Sequence, residues 1–409
     1  MRSILLFLGL FCLAPSAHGD DWPQWLGPTR DGISQETIAP WKEVPKVLWK
    51  APVGDGHSSP VVAHGKVFLF SMALQDGKQH EQLQVFDAKK GDLLETASYP
   101  KDKYESIFGN GPRATPAVFD NTVYTYGNTA VLSAFSADKI QQPLFQNDLL
   151  KEYKAKNLTF GISASPLVVE NLVVVPVGGA GHGMMAFDRK TGKEAWSALD
   201  DPASYAAPVY KHNQIIALTG ANAVGLSLKG EVLWKYPFKD LLNESSTTPV
   251  VIGDKVVVSS VTAGAVCLEI KETDGKWSAK ELWKKPELSC YFSTPIVLSP
   301  EHMLMVTGNA IPPKPARLRL VEIATGKTLW EHEKIGKYHA SLIKLQDGKV
   351  LGVDDNGYLF LIDPTVEKYT ELSRSRLFPA NGNAWAHPAL VHGKLYVRSA
   401  KELFCFELK

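Results

Sequence analysis

The sequence has no excess of either charge: 44 Lys and Arg residues stand against 43 Asp and Glu residues among 409. Binding to nucleic acid depends on a basic surface, so this balance predicts no nucleic-acid partner. After the N-terminal apolar stretch, no run approaches the ~18 apolar residues of a membrane-spanning helix, and we expect no transmembrane segment. Hydrophobic residues make up 44% of the chain, which is typical of a globular protein rather than a disordered one.

Cysteine is also scarce. Only Cys267, Cys290 and Cys405 follow the N-terminal stretch, and no two of them are adjacent or form Cys-x-x-Cys. An odd number leaves at least one thiol unpaired, and we expect buried structural thiols. The sequence also contains no Gly-x-Ser-x-Gly, no His-Glu-x-x-His and no sequence-close histidine cluster. Motifs therefore predict no catalytic residue and no metal ligand.

The N-terminus has the pattern of a secretory signal peptide over residues 1–19. A positive start at Arg2 precedes an apolar stretch from Ile4 to Leu13, and small residues then precede Asp20. This pattern predicts export, to the periplasm or the exterior, and leaves residues 20–43 as a leader segment. The alternative is a lipoprotein cut before Cys12, which the large residue before that cysteine disfavours.

A short unit of two small residues, Pro and an apolar stretch recurs along the rest of the chain. In seven copies the Pro slot is filled by proline, and in the remaining one by Ser341; the slots are at 60, 116, 166, 208, 249, 295, 341 and 388. The mean spacing is about 47 residues, and periods of this length indicate propellers or solenoids rather than separate domains.

Each repeat contains four short apolar stretches separated by tight turns, which predicts a four-stranded antiparallel propeller blade. The last repeat, which begins at Ala386, contains only three. The segment Lys46–Lys50 is similar to the fourth strand of another repeat, at Val232–Lys235. We therefore predict an all-β protein in which residues 44–409 form an eight-bladed β-propeller, closed by the N-terminal strand because closure removes exposed edges.

The repeats resemble the PQQ-like β-propeller family. The fullest copies are Asp188-Arg-Lys-Thr-Gly-Lys-Glu-Ala-Trp196 and Glu322-Ile-Ala-Thr-Gly-Lys-Thr-Leu-Trp330. The resemblance implies the propeller fold and two functional branches: quinoprotein alcohol dehydrogenases, which bind pyrroloquinoline quinone (PQQ) and calcium, and non-enzymatic proteins similar to BamB. The dehydrogenases stack the quinone against a disulfide of adjacent cysteines, which this chain lacks. We therefore expect neither PQQ nor calcium, although fold alone does not decide function.

A tryptophan recurs in the fourth strand of several repeats. We expect these side chains to pack between neighbouring blades, where each burial removes about 200 Å² from water. They are Trp49, Trp196, Trp234, Trp283 and Trp330. Trp22 lies in the leader, outside the repeats, and is expected to contribute far less to stability.

The loops that enter the inner strands line one mouth of a propeller's channel. Six of the eight residues three places before the Pro slots are large, aromatic or basic. From these and their neighbours we predict a ligand-binding set; loop capping and blade packing are the alternative role. The set is His57, Arg113, Tyr205, Phe292, Tyr338, His339, Trp385 and His387.

The sequence thus favours an exported binding or scaffold protein, without enzymatic activity, that interacts at the channel mouth with a protein, a small ligand or a glycan. Two other classes stay open: a PQQ- or metal-dependent oxidoreductase, and a carbohydrate- or polymer-binding module. Insertions at Ser71–Gln82, Lys101–Pro112 and Asn309–Arg317 are expected at the same face, where loops often carry function.

Overall fold

The computed structural model describes residues 21–310, 313–378 and 384–408. They form 32 β-strands in eight four-stranded antiparallel sheets, with one short helix, α1 (Leu149–Glu152). This confirms the predicted eight-bladed β-propeller. The predicted signal peptide, Cys12 and part of the predicted insertion at Asn309–Arg317 lie outside the described residues.

The first strand of the chain, β1 (Lys46–Pro52), belongs to the last blade, and the others follow in chain order. Blade 1 consists of β2 (Val61–Ala63), β3 (Lys66–Gln75), β4 (Lys78–Asp87) and β5 (Leu93–Pro100). Blade 2 consists of β6 (Ala117–Phe119), β7 (Thr122–Tyr126), β8 (Val131–Ser136) and β9 (Lys139–Asp148). Blade 3 consists of β10 (Leu167–Val169), β11 (Leu172–Pro176), β12 (Met184–Asp188) and β13 (Glu194–Ala198). Blade 4 consists of β14 (Val209–Lys211), β15 (Gln214–Leu218), β16 (Asn222–Leu226) and β17 (Val232–Pro237).

The second half of the ring repeats this arrangement. Blade 5 consists of β18 (Val250–Ile252), β19 (Lys255–Ser260), β20 (Gly264–Thr273) and β21 (Lys276–Lys285). Blade 6 consists of β22 (Ile296–Val297), β23 (His302–Ala310), β24 (Pro313–Glu322) and β25 (Thr328–Glu333). Blade 7 consists of β26 (Ala340–Lys344), β27 (Val350–Asp354), β28 (Tyr358–Ile362) and β29 (Glu371–Arg376). Blade 8 consists of β30 (Ala389–Val391), β31 (Lys394–Arg398), β32 (Glu402–Glu407) and β1.

Blade 8 is closed by the N-terminal strand, as predicted. β1 pairs antiparallel with β32, from Lys46 opposite Glu407 to Pro52 opposite Glu402. Because β32 would otherwise present an unpaired edge, this pairing links the two ends of the described chain and completes the ring.

Burial follows the radial position of each strand. In blade 3, every residue of β11 is buried, whereas the outermost strand β13 has none that is fully buried. At six of the eight blade junctions the inner strand of one blade contacts the inner strand of the next. The apolar runs of the inner strands therefore form the cores between blades, and the outermost strands face solvent on one side.

In several blades a glycine of the turn before the fourth strand lies against the repeat tryptophan of the preceding blade. Gly230 has φ +83°, and a Cβ there would lie 2.8 Å from Cδ2 of Trp196 in the preceding blade. A Cβ on Gly91 would lie 2.5 Å from Cδ2 of Trp49. Only glycine permits both this backbone conformation and this close approach.

The five repeat tryptophans lie at blade boundaries but differ in exposure. Trp49, Trp234 and Trp283 are buried, while Trp196 and Trp330 are half-buried. The indole nitrogens of Trp49, Trp196, Trp283 and Trp330 donate to backbone carbonyls of the following blade, at Ala88, Leu228, Ile323 and Thr365. The indole of Trp234 donates instead to Gln214 within its own blade.

The three cysteines Cys267, Cys290 and Cys405 are free and buried, as predicted. The described residues contain no helix long and apolar enough to cross a membrane.

Candidate functional site

The leader segment closes one end of the central channel. Trp22 exchanges backbone hydrogen bonds of 2.8 and 2.9 Å with Val62 of blade 1, and the carbonyl of Pro23 accepts a 2.7 Å bond from Val118 of blade 2. Trp22 is only 3% exposed. The expectation that Trp22 contributes far less to stability rests on its position outside the repeats, whereas the structure buries this side chain inside the ring, which favours a larger contribution.

Arg30 ties the same segment to blades 3 and 4. Its guanidinium donates to the carbonyl oxygens of Ser165, Pro166 and Pro208, at 3.1, 3.0 and 3.1 Å. The side chain is buried, and desolvation lowers the pKa of Arg30 to about 9. It therefore remains protonated at neutral pH.

Blades 5 to 8 also contact the leader. The Trp25 indole donates to Oγ1 of Thr248 at 2.9 Å, and the backbones of Gly32 and Lys344 are joined by a 2.9 Å bond. A Cβ on Gly32 would lie 3.1 Å from Ile296 in blade 6. The ring of Trp22 stacks on that of His387 at the start of blade 8, with centroids 6.1 Å apart. The leader thus contacts all eight blades and forms a floor across the channel.

Above this floor lies a cavity of about 150 Å³. The loops that lead into the inner strands form its wall, and Trp25 of the leader contributes to its base. Its lining residues are Trp25, His57, Phe108, Arg113, Phe160, Ser163, Ser165, Tyr205, Ala207, Glu244, Ser246, Thr248, Tyr291, Phe292, His339 and Trp385. The leader is hydrogen-bonded to the lining residues Ser165 and Thr248 and to Val62 and Val118, which lie further along the inner strands. The cavity is therefore open at the mouth and closed below by the leader.

Six residues of the predicted ligand-binding set line this one cavity: His57, Arg113, Tyr205, Phe292, His339 and Trp385. The other two lie outside its lining. His387 is buried beside the leader, with ring nitrogens 2.8 and 3.2 Å from the carbonyl oxygens of Pro388 and Leu342. Tyr338 is half-buried, with the ammonium of Lys337 4.7 Å from its ring centroid. Ligand binding by the set remains a prediction.

Aromatic rings form a continuous chain around much of the wall. Trp385 is central to it: its ring centroid lies 4.9 Å from that of His57, 5.6 Å from that of Phe108 and 6.3 Å from that of Phe292. The chain continues by contacts of 5.3 Å from Phe108 to Phe160, 6.1 Å from Phe160 to Tyr205, and 3.7 Å from Phe292 to Tyr291. Rings held by several neighbours form a preorganised apolar wall.

Four aromatic side chains of the lining escaped the sequence analysis: Trp25, Phe108, Phe160 and Tyr291. Tyr291 directly precedes the predicted Phe292 and so lies one place outside the register used. Phe108 lies in the predicted insertion Lys101–Pro112, but outside the repeat register. Phe160 also precedes its Pro slot by more than three residues, and Trp25 lies in the leader. The wall is thus formed both by repeat positions and by segments, the leader and the inserted loops, that have no equivalent in the other repeats.

The two histidines in the wall are neutral at neutral pH. Burial lowers the pKa of His57 to about 4, and its Nε2 lies 2.7 Å from the carbonyl oxygen of Phe108. Burial also lowers the pKa of His339 to about 3; its ring nitrogens lie 2.9 Å from the hydroxyl of Ser293 and 3.1 Å from that of Ser341. A hydroxyl can donate or accept, which suits either neutral tautomer. Both imidazoles thus contribute aromatic surfaces to the wall that are polar but uncharged.

The cavity carries one side chain of each charge. Arg113 lies on the turn before blade 2, where its Nη2 donates to the carbonyl of Gly109 at 3.0 Å. Glu244 lies on the loop before blade 5, and its carboxylate interacts with Tyr291. Desolvation lowers the pKa of Arg113 and raises that of Glu244, because each loses water contact in forming the wall.

These residues do not match the PQQ and calcium site that the resemblance implies for dehydrogenases. The lining contains no cysteine, and the three described cysteines are buried separately, with no disulfide. Within the described ranges, no three His, Cys, Asp or Glu side chains are grouped to hold a metal ion. The disulfide wall and the acidic ligand set are both missing from the cavity.

Comparison with solved structures finds the same overall fold in several proteins. BamB from Moraxella catarrhalis superposes with a TM-score of 0.61 at 13% identity, over 90% of this chain and 98% of that chain. A europium-containing methanol dehydrogenase gives 0.68 at 12% identity, over 96% and 99%. Quinohemoprotein alcohol dehydrogenase from Comamonas testosteroni gives 0.66 at 13% identity, over 95% and 80%. At these identities the likeness shows the fold alone.

The sequence itself assigns the family. The family model described as outer membrane protein assembly factor BamB matches residues 95–330, more than half of the chain. The chain therefore belongs to this family of PQQ-like β-propellers. No curated protein matches the sequence significantly.

Proposed function

We propose that this protein is an exported, non-enzymatic binding protein whose central cavity holds a small ligand. The observation that carries the proposal is the aromatic cavity itself, which opens at one face of the propeller and is closed below by the leader. A concave, mostly apolar site with a few convergent polar groups is the usual form of a small-molecule site. Export rests on the signal-peptide pattern of residues 1–19.

The cavity is suited to binding rather than to chemistry. Its two histidines are neutral, and neither is paired with a carboxylate that would activate it as a base. The wall offers hydroxyl groups, Ser163, Ser246 and Thr248, as fixed hydrogen-bonding groups. Aromatic faces would supply most of the contact with a ligand, and the polar groups its orientation.

The test is a thermal-shift screen of the mature protein against a small-molecule collection, followed by native mass spectrometry of the compounds that stabilise it. We expect at least one compound to bind with 1:1 stoichiometry. Trp385→Ala should abolish the shift, whereas the matched change Trp330→Ala, at an outer strand, should leave it intact. Binding that survives Trp385→Ala, or no compound that binds, would remove the basis for this function.

A second candidate is protein binding at the same mouth, favoured by two exposed apolar side chains. Ile107, in the loop between β5 and β6, is 89% exposed, and Leu241, in the loop between β17 and β18, is 82% exposed. Both loops also contribute to the cavity wall. The family's description as an assembly factor of outer membrane proteins agrees with a protein partner.

Site-specific photocrosslinking distinguishes this candidate. A benzophenone side chain at position 107 or 241 should form a discrete adduct with one envelope protein in intact cells. The same group at Val366, which is 50% exposed on the turn between β28 and β29, is the control. Equal adducts at all three positions would argue against a partner at the mouth.

A further inference from the structure

The cavity holds two opposite charges that the protein leaves unpaired. Arg113 and Glu244 both belong to its lining. Among the ion pairs of the described residues, none includes either side chain. Charged groups withdrawn from water are usually paired, because desolvation costs free energy that only a counter-charge or hydrogen bonds return.

Arg113 is incompletely satisfied. Its Nη2 contacts the carbonyl oxygens of Gly109 and Phe108 and the hydroxyl of Ser106, at 3.0, 3.4 and 3.4 Å. Its Nη1 is buried and has no hydrogen-bond partner. A guanidinium presents its donors as a planar fork that matches a carboxylate. Asp55 acts on Arg113 electrostatically but forms no ion pair with it. A carboxylate in the cavity would therefore supply the missing acceptor and a direct counter-charge.

Glu244 provides the opposite pole. Its carboxylate interacts with Tyr291, a neutral partner, and the ring of Tyr291 lies 3.7 Å from that of Phe292, centroid to centroid. A carboxylate beside aromatic rings attracts a cation, because the ring faces add their own negative potential. An alkylammonium group is the cation whose apolar surface also suits these rings.

Both charges lie near one aromatic residue of the lining, Tyr205. Tyr205 lines the cavity, and its hydroxyl interacts electrostatically with both Glu244 and Arg113. The same hydroxyl accepts a 3.2 Å hydrogen bond from the backbone N–H of Phe160, which fixes its position. The poles therefore face one small space.

We propose that the cavity binds a small zwitterion; this proposal rests on the function proposed above. The carboxylate of the ligand pairs with Arg113, and its ammonium group lies between Glu244 and the aromatic rings. An anion alone leaves Glu244 uncompensated, and a cation alone leaves Arg113 uncompensated. The volume of about 150 Å³ is below the ~300 Å³ of sites for drug-sized ligands. It suits betaines and short ω-amino acids.

Calorimetry with small probes of different charge tests this proposal. The mature protein is titrated with 4-(trimethylammonio)butyrate, with its methyl ester (cation only), with hexanoate (anion only) and with the neutral alcohol 3,3-dimethylbutanol. We expect the zwitterion to bind at least tenfold more tightly than the other three. Glucose is included as a neutral polyhydroxyl probe.

Two variants test the assigned poles. Arg113→Met should bring the affinity for the zwitterion down to that for the methyl ester, and Glu244→Gln should bring it down to that for hexanoate. The melting temperature of each variant is measured first, and the neutral replacements Arg113→Gln and Glu244→Met serve as substitutes if either fails to fold. Arg317→Met, which removes an exposed ion pair, is the matched control and should not change affinity.

The outcomes separate this proposal from the one on which it rests. Binding of dimethylbutanol or glucose as tight as that of the zwitterion, and sensitive to Trp385→Ala, would overturn the zwitterion class while keeping the cavity as a ligand site. Equal losses for all probes in both charge variants would likewise contradict the assigned poles. If no probe and no screened compound binds, both proposals fail.

Discussion

The guanidinium of Arg30 donates to the carbonyl oxygen of Ser165 across 135 residues of sequence, at 3.1 Å. The bond joins the leader to the turn that begins blade 3. Ser165 also lines the cavity, so the same turn belongs both to the floor and to the candidate site. The leader is therefore a structural part of the propeller, and its loss should affect stability and the site together.

Arg30→Met should lower the free energy of unfolding by roughly 2–4 kcal/mol. Three buried carbonyls lose a charged donor, each such bond contributing ~1.5–3 kcal/mol, while removal of the guanidinium offsets part of this loss because the charge no longer has to be buried. Urea denaturation measures this change. Arg317→Met is the control: its side chain is 40% exposed and pairs with Glu331 and Glu333, and surface pairs contribute about 0–1 kcal/mol. Similar losses in the two variants would mean that the leader is not anchored by Arg30.

Trp22→Ala should destabilise the protein more than Trp330→Ala does. Trp22 is 3% exposed and packs against Gly27 and His387, while Trp330 is only half-buried. Replacing a buried aromatic residue by alanine costs about 3–5 kcal/mol. Trp283, 7% exposed, should fall in the same range as Trp22. Chemical denaturation ranks the three variants, and a loss for Trp22 smaller than that for Trp330 would contradict the packing of the leader.

Deletion of residues 21–52 should cause aggregation and a lower melting temperature, because it removes β1 and exposes the edge of β32. Deletion of residues 21–34 is the matched control: it removes most of the floor but keeps β1. We expect this shorter deletion to be monomeric but less stable, as measured by light scattering and calorimetry. A longer deletion that is monomeric and melts like the full mature chain would show that β1 does not close the ring.

His339 should make stability fall in acid. Its pKa is about 3 in the folded protein because of burial, against ~6.5 in the unfolded chain. The unfolded state therefore binds more protons, and the contribution of His339 is lost as pH falls from about 6.5 towards 3. The variant His339→Gln lacks this contribution at every pH. The difference between the free energies of unfolding of the parent protein and of the variant, its stability deficit, should therefore shrink by roughly 2 kcal/mol between pH 7 and 4.5.

Denaturation curves of both proteins at each pH measure this difference. Other titrating groups, including His387, which interacts with His339, are present in both and largely cancel. A deficit that stays constant with pH would mean that His339 has a similar pKa in the folded and unfolded states.

The repeat made the fold predictable, because each blade buries the same positions against its neighbours. The spacing of the Pro slots located all eight inner strands, and the similarity of Lys46–Lys50 to Val232–Lys235 located the closing strand. The same register also gathered residues as distant as His57 and Phe292 around one cavity, since every loop that enters an inner strand converges on the axis.

The leader and the inserted loops could not be predicted, because they have no second copy to align. Trp25 lies far from the repeats in sequence and reaches the cavity only through the leader's path across the channel. Tyr338 has the expected register but lies outside the lining: the backbone N–H groups of Lys337 and Tyr338 are held by the carboxylate of Asp355. His339 contributes to the wall from that loop instead.

The most direct test of the central claim is a crystal structure of the mature protein bound to a compound from the screen or the zwitterion series. The claim predicts ligand density above Trp25, against the ring of Trp385 and enclosed by the loops before the inner strands, with the leader still in place below. Density at another surface, or a cavity filled by side chains while the ligand is bound elsewhere, would contradict it.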